Sequence, residues 1–245
     1  MVPKLTRAAA GGLVAAALAG CAAAAATPAV WQLSAFAVLA RGGYDGVLTV
    51  AEVRRHGDVG LGAADGLNGE MVVVDGRFYQ FLADGRVVVP PDSMRVPFAA
   101  VTFWKGGRDV PARPGLRYGS SFDAAVDSLL PSADAFYVLR MEGTWDVVVA
   151  RTFSPPGRPY PPLRGVAADT FTLESARGTM VGFRQPSYAD PLSIPGYHLH
   201  FIDAERARGG HVLGFTTRDV RLQVSERPDF TVRTPPAGPA APGGR

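Results

Sequence analysis

The 245-residue chain has one cysteine, four histidines, no block of basic residues and no bulky apolar run of membrane-spanning length. Each shortage closes a class of explanation. With Cys21 alone, no intramolecular disulfide can brace the domain, and a zinc site closed by several thiolates cannot form. The 25 Lys+Arg set against 22 Asp+Glu give a formal net charge of +3 with no concentrated patch. Neither nucleic acid nor an anionic membrane surface is therefore expected as a partner. The stretch from Ala8 to Ala19 is short and built from small side chains, below the ~20 apolar residues that a spanning helix needs.

What is present at the ends reads as processing and tether. Lys4 and Arg7 precede the apolar stretch, which ends in Leu18-Ala19-Gly20-Cys21. This resembles the lipobox of bacterial lipoproteins, in which cleavage before the cysteine leaves its thiol to be lipidated. The expectation is a leader over residues 1–20 and a lipid on Cys21. The exported protein would then be held on the periplasmic or extracellular face of its membrane. Removing Lys4 and Arg7 with that leader takes the net charge from +3 to +1. Residues 21–30 read as a low-complexity tether, and 233–245, rich in Pro, Gly and Ala, as a disordered tail. Roughly 200 residues remain for folding.

Those residues are mostly strand by pattern. Met71 to Val74, an Asp75-Gly76 turn, Arg77 to Phe81, an Asp84-Gly85 turn and Arg86 to Val89 form a meander with two hairpin signals. Further strands are predicted at 98–104, 136–143, 144–152, 179–184, 196–202, 211–217 and 220–224. Helical spacing marks Ser121 to Leu130, with Ser120 and Ser121 as candidate caps. The fold class is α+β and strand-rich, with few helices and two similar mixed or antiparallel halves, 31–131 and 132–232.

Three of the four histidines fall within fourteen residues, as His198-Leu199-His200 and His211. On a strand, side chains two apart share a face, so His198 and His200 point the same way. A third imidazole from the next strand completes a tripod of neutral nitrogen donors. Three protein ligands with an open fourth position describe a catalytic zinc site. The alternative is a buried Leu flanked by two histidines, with His211 capping a turn. His56, beside Arg54 and Arg55, reads as part of a solvated face. Glu142, Asp58 and Asp75 stand next to glycine in turns and read as structural.

The motifs taken together resemble a family. Gly43-Tyr44-Asp45-Gly46, Gly57 to Gly62, Leu67-Asn68-Gly69-Glu70-Met71, Asp75 to Gln80 and Pro97-Phe98-Ala99 run in order through the first half. Arg158-Pro159-Tyr160-Pro161, Gly178 to Phe183, Gly196 to Phe201 and Gly209 to Leu213 follow in the second. These blocks closely resemble alpha-acetolactate decarboxylase, from about Tyr44 to Val224. The resemblance implies a zinc-dependent decarboxylation of 2-acetolactate to acetoin and carbon dioxide, with the metal in the cleft between the halves. It implies zinc ligands at His198, His200 and His211, an active-site carboxylate at Glu70 beside the metal, and an arginine at Arg151 that meets the substrate. The chemistry suits those residues. Loss of carbon dioxide from a 2-hydroxy-3-keto acid pushes an electron pair toward the ketone, which a Lewis acid stabilises. Arg151 can hold the carboxylate in a bidentate pair, and Glu70 can deliver a proton.

The chain departs from the family pattern in two places. Ala63 stands where the family usually has threonine, seven residues before the active-site glutamate. The tail after Arg233 has no acidic residue where the family has a further glutamate. A second expectation follows: a zinc-binding lipoprotein of weakened catalysis that binds or senses small hydroxy-keto acids. Hydrolysis on the same tripod is a third, favoured by nothing else in the chain. A homodimer is one open expectation for the assembly.

Overall fold

The computed structural model describes residues 27–235. The leader, Cys21, most of the tether and all but the first residues of the tail lie outside that range. In chain order the first elements are β1 (Val30–Leu33), α1 (Phe36–Ala40), β2 (Leu48–Thr49), α2 (Val50–Val53), β3 (Val59–Ala63), β4 (Glu70–Val74), β5 (Arg77–Phe81), β6 (Val87–Val88), β7 (Arg95–Val96) and β8 (Phe98–Thr102). Then come β9 (Arg108–Val110), α3 (Ser121–Asp127), β10 (Phe136–Phe153), β11 (Ala168–Glu174), β12 (Arg177–Gln185), β13 (Gly196–Asp203), β14 (Gly209–Arg227) and β15 (Phe230–Arg233).

They form an α+β fold of two principal sheets. The first has the order β15-β1-β8-β3-β4-β5-β6 and is mixed, because β15 runs parallel to β1. The second has the order β11-β10-β12-β13-β14-β9 and is antiparallel, with β14 also pairing β10. That extra pairing curls the second sheet until β10, β12, β13 and β14 close into a ring.

Local chemistry explains the turns. Asp75 and Gly76, between β4 and β5, both have positive φ (50° and 75°), as a two-residue hairpin turn of matching twist requires. Asp75 is also tied to Arg140. The strands predicted at 136–143 and 144–152 are one 18-residue strand, and those at 211–217 and 220–224 one of 19. The strand runs on through Gly143, and the break at Arg218-Asp219 is a β-bulge, with Arg218 unpaired opposite the Thr144–Trp145 step. Register shifts occur between Thr144 and Trp145, Trp145 and Val147, and Val149 and Ala150, and they bend both strands around the ring. Glu142 accordingly sits within a strand rather than a turn, paired with Arg140.

The helix predicted over 121–130 is shorter, Ser121–Asp127, and neither serine caps it as expected. Ser120 makes no side-chain cap, and the Ser121 hydroxyl accepts from the Arg117 N–H. Asp58 accepts from the Trp104 N–H at 2.6 Å, a structural role. His56 is half-buried and stacked face to face on Trp31, with ring centroids 3.9 Å apart. The solvated face expected there is therefore partly covered by an indole.

Alternation along the strands divides the core into layers. Leu199, Phe201, Trp145 and Leu139 point into the ring, where α3 adds Phe122 and Val126. Val72, Val74, Phe81, Val181 and Ile202 fill the space between the sheets, continued by Leu61, Phe98, Val138, Phe153 and Phe183. Met71, Val73 and Phe78 face the far side of the first sheet, under α2. Burying each such side chain contributes about 1.5–3 kcal/mol. The halves drawn at residue 131 exchange segments: β9 and α3 belong with the second sheet, and β15 with the first. Arg233, assigned to the tail, ends β15.

Candidate active site

The period of β13 decides where its histidines go. Leu199 and Phe201 enter the ring, so His198, His200 and Ile202 face the first sheet. The β13–β14 hairpin then brings His211 directly opposite His200. Its turn is held by Asp203, whose carboxylate accepts the N–H of Ala207 at 2.7 Å and that of Arg208 at 3.0 Å. On the far side of β14, His211 is the register partner of Arg151. Arg151, His211 and His200 therefore form one row across three strands, with His198 two residues along.

The first sheet supplies the opposite wall. Glu70 opens β4 on the same face as Val72 and Val74, and its cross-strand partner on β3 is Ala63. Gly69 makes that placement possible. Its φ is +84°, and a Cβ there would stand 1.8 Å from the carbonyl oxygen of Phe81. Residue 69 is glycine because neither condition admits a side chain.

One nitrogen from each of His198, His200 and His211 lies within 4.8 Å of the others. His200 directs Nδ1 to the Met71 carbonyl at 2.7 Å, so that nitrogen donates and Nε2 keeps its lone pair. That Nε2 faces His211 Nδ1 at 3.2 Å. Either one shared proton or one shared cation resolves two facing nitrogens at this distance. Donors 2.0–2.1 Å from a tetrahedral ion stand about 3.3 Å apart, so the spacing suits a metal. Burial first, then the charge of Arg151, pushes His198 down to about 3. Burial and the neighbouring imidazoles hold His200 and His211 well below the usual histidine value. All three are neutral at physiological pH, the form that ligates. The three-histidine group could thus hold a metal ion.

Glu70 is the other titratable wall. Burial lifts it to about 7, against the opposing pull of Arg151. Oε1 lies 3.6 Å from His211 Nδ1, which is no ion pair while His211 is neutral. Oε2 is buried and has no hydrogen-bond partner among the described residues. Arg151 is half-buried, its guanidinium 4.3 Å from the Phe153 ring centroid.

All five residues line one cavity, whose remaining walls are apolar: Phe36 and Leu39 from α1, Phe98, Phe153, Leu163 and Ile194. Its free volume is about 60 Å³. At ~10–15 Å³ of such space per water, it holds only a few water molecules, so it suits a compact acid rather than a sugar or nucleotide. The α1, Leu163 and Ile194 walls carried no motif. Of these, only the i, i+3 spacing of Phe36 and Leu39 leaves a trace in the sequence.

A family model described as alpha-acetolactate decarboxylase matches residues 30–239. The chain belongs to the alpha-acetolactate decarboxylase family. The alpha-acetolactate decarboxylase of Methylococcus capsulatus is 38% identical over 211 residues, covering 85% of this chain and 81% of that protein. That of Bacillus subtilis is 33% identical over 209 residues, covering 84% and 81%. Its crystal structure, from strain 168, aligns with a TM-score of 0.82 over 85% of this chain and 89% of that one, at 32% identity. A Staphylococcus aureus structure, described as a protein of unknown function similar to alpha-acetolactate decarboxylase, gives 0.81 over 84% and 89%, at 27% identity.

The family motifs also meet in space. Tyr44 and Tyr160 pack with ring centroids 5.1 Å apart, the Tyr44 hydroxyl donates to the Pro161 carbonyl, and Arg158 pairs with Asp45. These contacts fix the segment that carries Leu163 to the cavity wall. At the departure from the family pattern, Ala63 lines the cavity beside Glu70. The acid-free tail lies outside the described residues.

Proposed function

We propose that the protein decarboxylates 2-acetolactate, or a close 2-hydroxy-3-keto acid, to acetoin and carbon dioxide, with zinc on His198, His200 and His211. One observation carries this reading. Three neutral imidazoles, a buried acid and an arginine with no carboxylate ion pair among the described residues converge on a cavity of a few waters' size. A divalent ion bound there supplies Lewis-acid stabilisation of the electron pair released toward the ketone.

The chain's own residues do the rest. Arg151 grips the carboxylate through its planar fork and fixes which bond breaks. The apolar walls keep water from the reacting carbon and strengthen the electrostatics inside. The carbon that loses carbon dioxide must gain a proton. Glu70, a buried carboxyl that lines the cavity with the three imidazoles, is placed to deliver it.

The test is acetoin release from the zinc-loaded protein, compared with the spontaneous decarboxylation of racemic acetolactate. His200→Ala should lose both bound zinc and the rate above background. A wild type with stoichiometric zinc and no acetoin would instead favour a binding or sensing role. The same proposal places the protein on a membrane through Cys21, supported by the Leu18-Ala19-Gly20-Cys21 sequence. No helix among the described residues is long and apolar enough to cross a bilayer. Cys21→Ser should abolish incorporation of labelled fatty acid; labelling that survives it would reject the anchor.

A further inference from the structure

Outside the cavity, an open cleft shares Phe36, Leu163 and Arg151 with it, so the two spaces adjoin. Two more arginines line this cleft and no acidic residue does. Arg41 follows the last residue of α1. Arg164 sits in the short turn Leu163–Gly165, which packs beside α1 through Leu39 and Leu163. Both are exposed. Among the described residues, every arginine–carboxylate ion pair involves other arginines.

Arg86, Arg140, Arg158, Arg218 and Arg221 each meet a carboxylate. Around this cleft three guanidiniums share apolar walls with no acidic residue in the lining. A cleft of one sign with low-dielectric walls concentrates the opposite ion.

We propose that Arg41 and Arg164 are positioning residues that capture the carboxylate of the incoming substrate at the mouth and deliver it to Arg151. This rests on the acid-substrate reading above and adds a route of entry to it. The captured group is a small monocarboxylate, the size that the narrow cavity beyond suits. No bond is made or broken at this stage. The two arginines raise the local concentration of the anion, so they act on KM and on the rate of encounter. Two unit charges about 10 Å from an anion in water are worth roughly three- to fivefold in occupancy. Salt at ~1 M, where the screening length is ~3 Å, removes that gain.

The experiment compares zinc-loaded wild type with the double variants R41Q/R164Q and R41K/R164K at ~10 mM and ~1 M salt. In acetolactate turnover at low salt, R41Q/R164Q should raise KM three- to fivefold with kcat held within about twofold. The lysine pair should restore KM, and the difference should vanish at high salt. A second readout needs no chemistry: binding of 2-hydroxyisobutyrate, followed by ligand-observed NMR, should weaken by the same factor in R41Q/R164Q. Equal binding of this acid by all three proteins at low salt overturns the proposal. So does a KM or binding defect that persists at ~1 M salt or that lysine fails to rescue, because that marks a structural role. If wild type forms no acetoin, the decarboxylase reading fails while the binding comparison still decides this one.

Discussion

The two sheets meet the cavity in different ways. The second presents His198, His200, His211 and Arg151 from strands paired on both sides, so their placement follows from register. A one-residue slip of β13 would turn both its histidines into the ring and bring Leu199 and Phe201 out. Beside Phe98, the first sheet contributes one acid, one backbone carbonyl and the small side chain of Ala63, near the point where a tight loop enters β4. Its contribution depends on Gly69 and on how closely Phe81 approaches. Both walls are held by strand pairing, Glu70 standing opposite Ala63 and Phe81; the first is the weaker because it also needs a conformation at Gly69 that only glycine adopts easily. The difference predicts which changes harm chemistry and which harm the fold.

The largest expected effect separates chemistry from packing on the weaker wall. Glu70→Gln keeps the shape and removes the proton carrier. If the first sheet takes part in the reaction, kcat should fall about 10²–10³-fold with zinc content unchanged; a rate within threefold of wild type would reduce Glu70 to a wall. Stability should move the other way. Glu70 titrates near 7 in the fold against 4.5 as a free side chain, so between those values the folded state binds more protons than the unfolded one. The Glu70 contribution to stability therefore falls as pH rises from 4.5 through 7 and levels off above, and comparison with the glutamine variant cancels the opposite slope of the three buried histidines. In metal-free protein, the glutamine variant should match wild type below pH 4.5 and exceed it at pH 8. Urea denaturation at the two pH values checks the sign.

Next in size is a pair of glycines. Gly69→Ala meets a positive φ and a backbone oxygen 1.8 Å from the new Cβ. It should cost about 3 kcal/mol or more and shift Glu70 with it. Gly76→Ala has a similar φ of +75°, but the nearest atom its Cβ would meet, on Asp58, is 4.0 Å away. It should cost about 1–2 kcal/mol and leave activity alone. Equal losses of stability in the two variants would mean that the close approach of β5 adds nothing.

The same contrast explains what the sequence reveals. The β4–β5 hairpin was legible because alternating apolar residues flank Asp75-Gly76, and local chemistry alone sets such a turn. The His198/His200 pair was legible because the strand period is two, and His211 because a short hairpin leaves few registers. Glu70 and Arg151 emerged from the family resemblance rather than from spacing, since one acid before a strand and one arginine within another carry no local signature. The Met71 carbonyl that orients His200 has none at all, because every residue offers a carbonyl. Nothing short-range announces that β15 returns to lie parallel to β1, or that β9 crosses to the second sheet; such pairings follow from tertiary packing. The continuity of β10 and β14 was hidden for a related reason. A bulge at Arg218 and a glycine at 143 look like turns until a partner strand runs past them.

The smallest expected effect tests how finely the weaker wall is tuned. Ala63 faces Glu70 across the β3–β4 ladder, where Glu70 Oε2 has no partner among the described residues. Ala63→Thr places a hydroxyl on a strand position that suits a β-branched residue. A new hydrogen bond to that oxygen would contribute about 1 kcal/mol. If its donor favours the ionised acid, the pH at which stability levels off should move below 7, and kcat at pH 8 should drop only a few-fold. A loss of stability above about 2 kcal/mol would instead show that the cavity has no room for the extra atoms. In that case the alanine serves space, and the first sheet acts on the reaction through Glu70 alone.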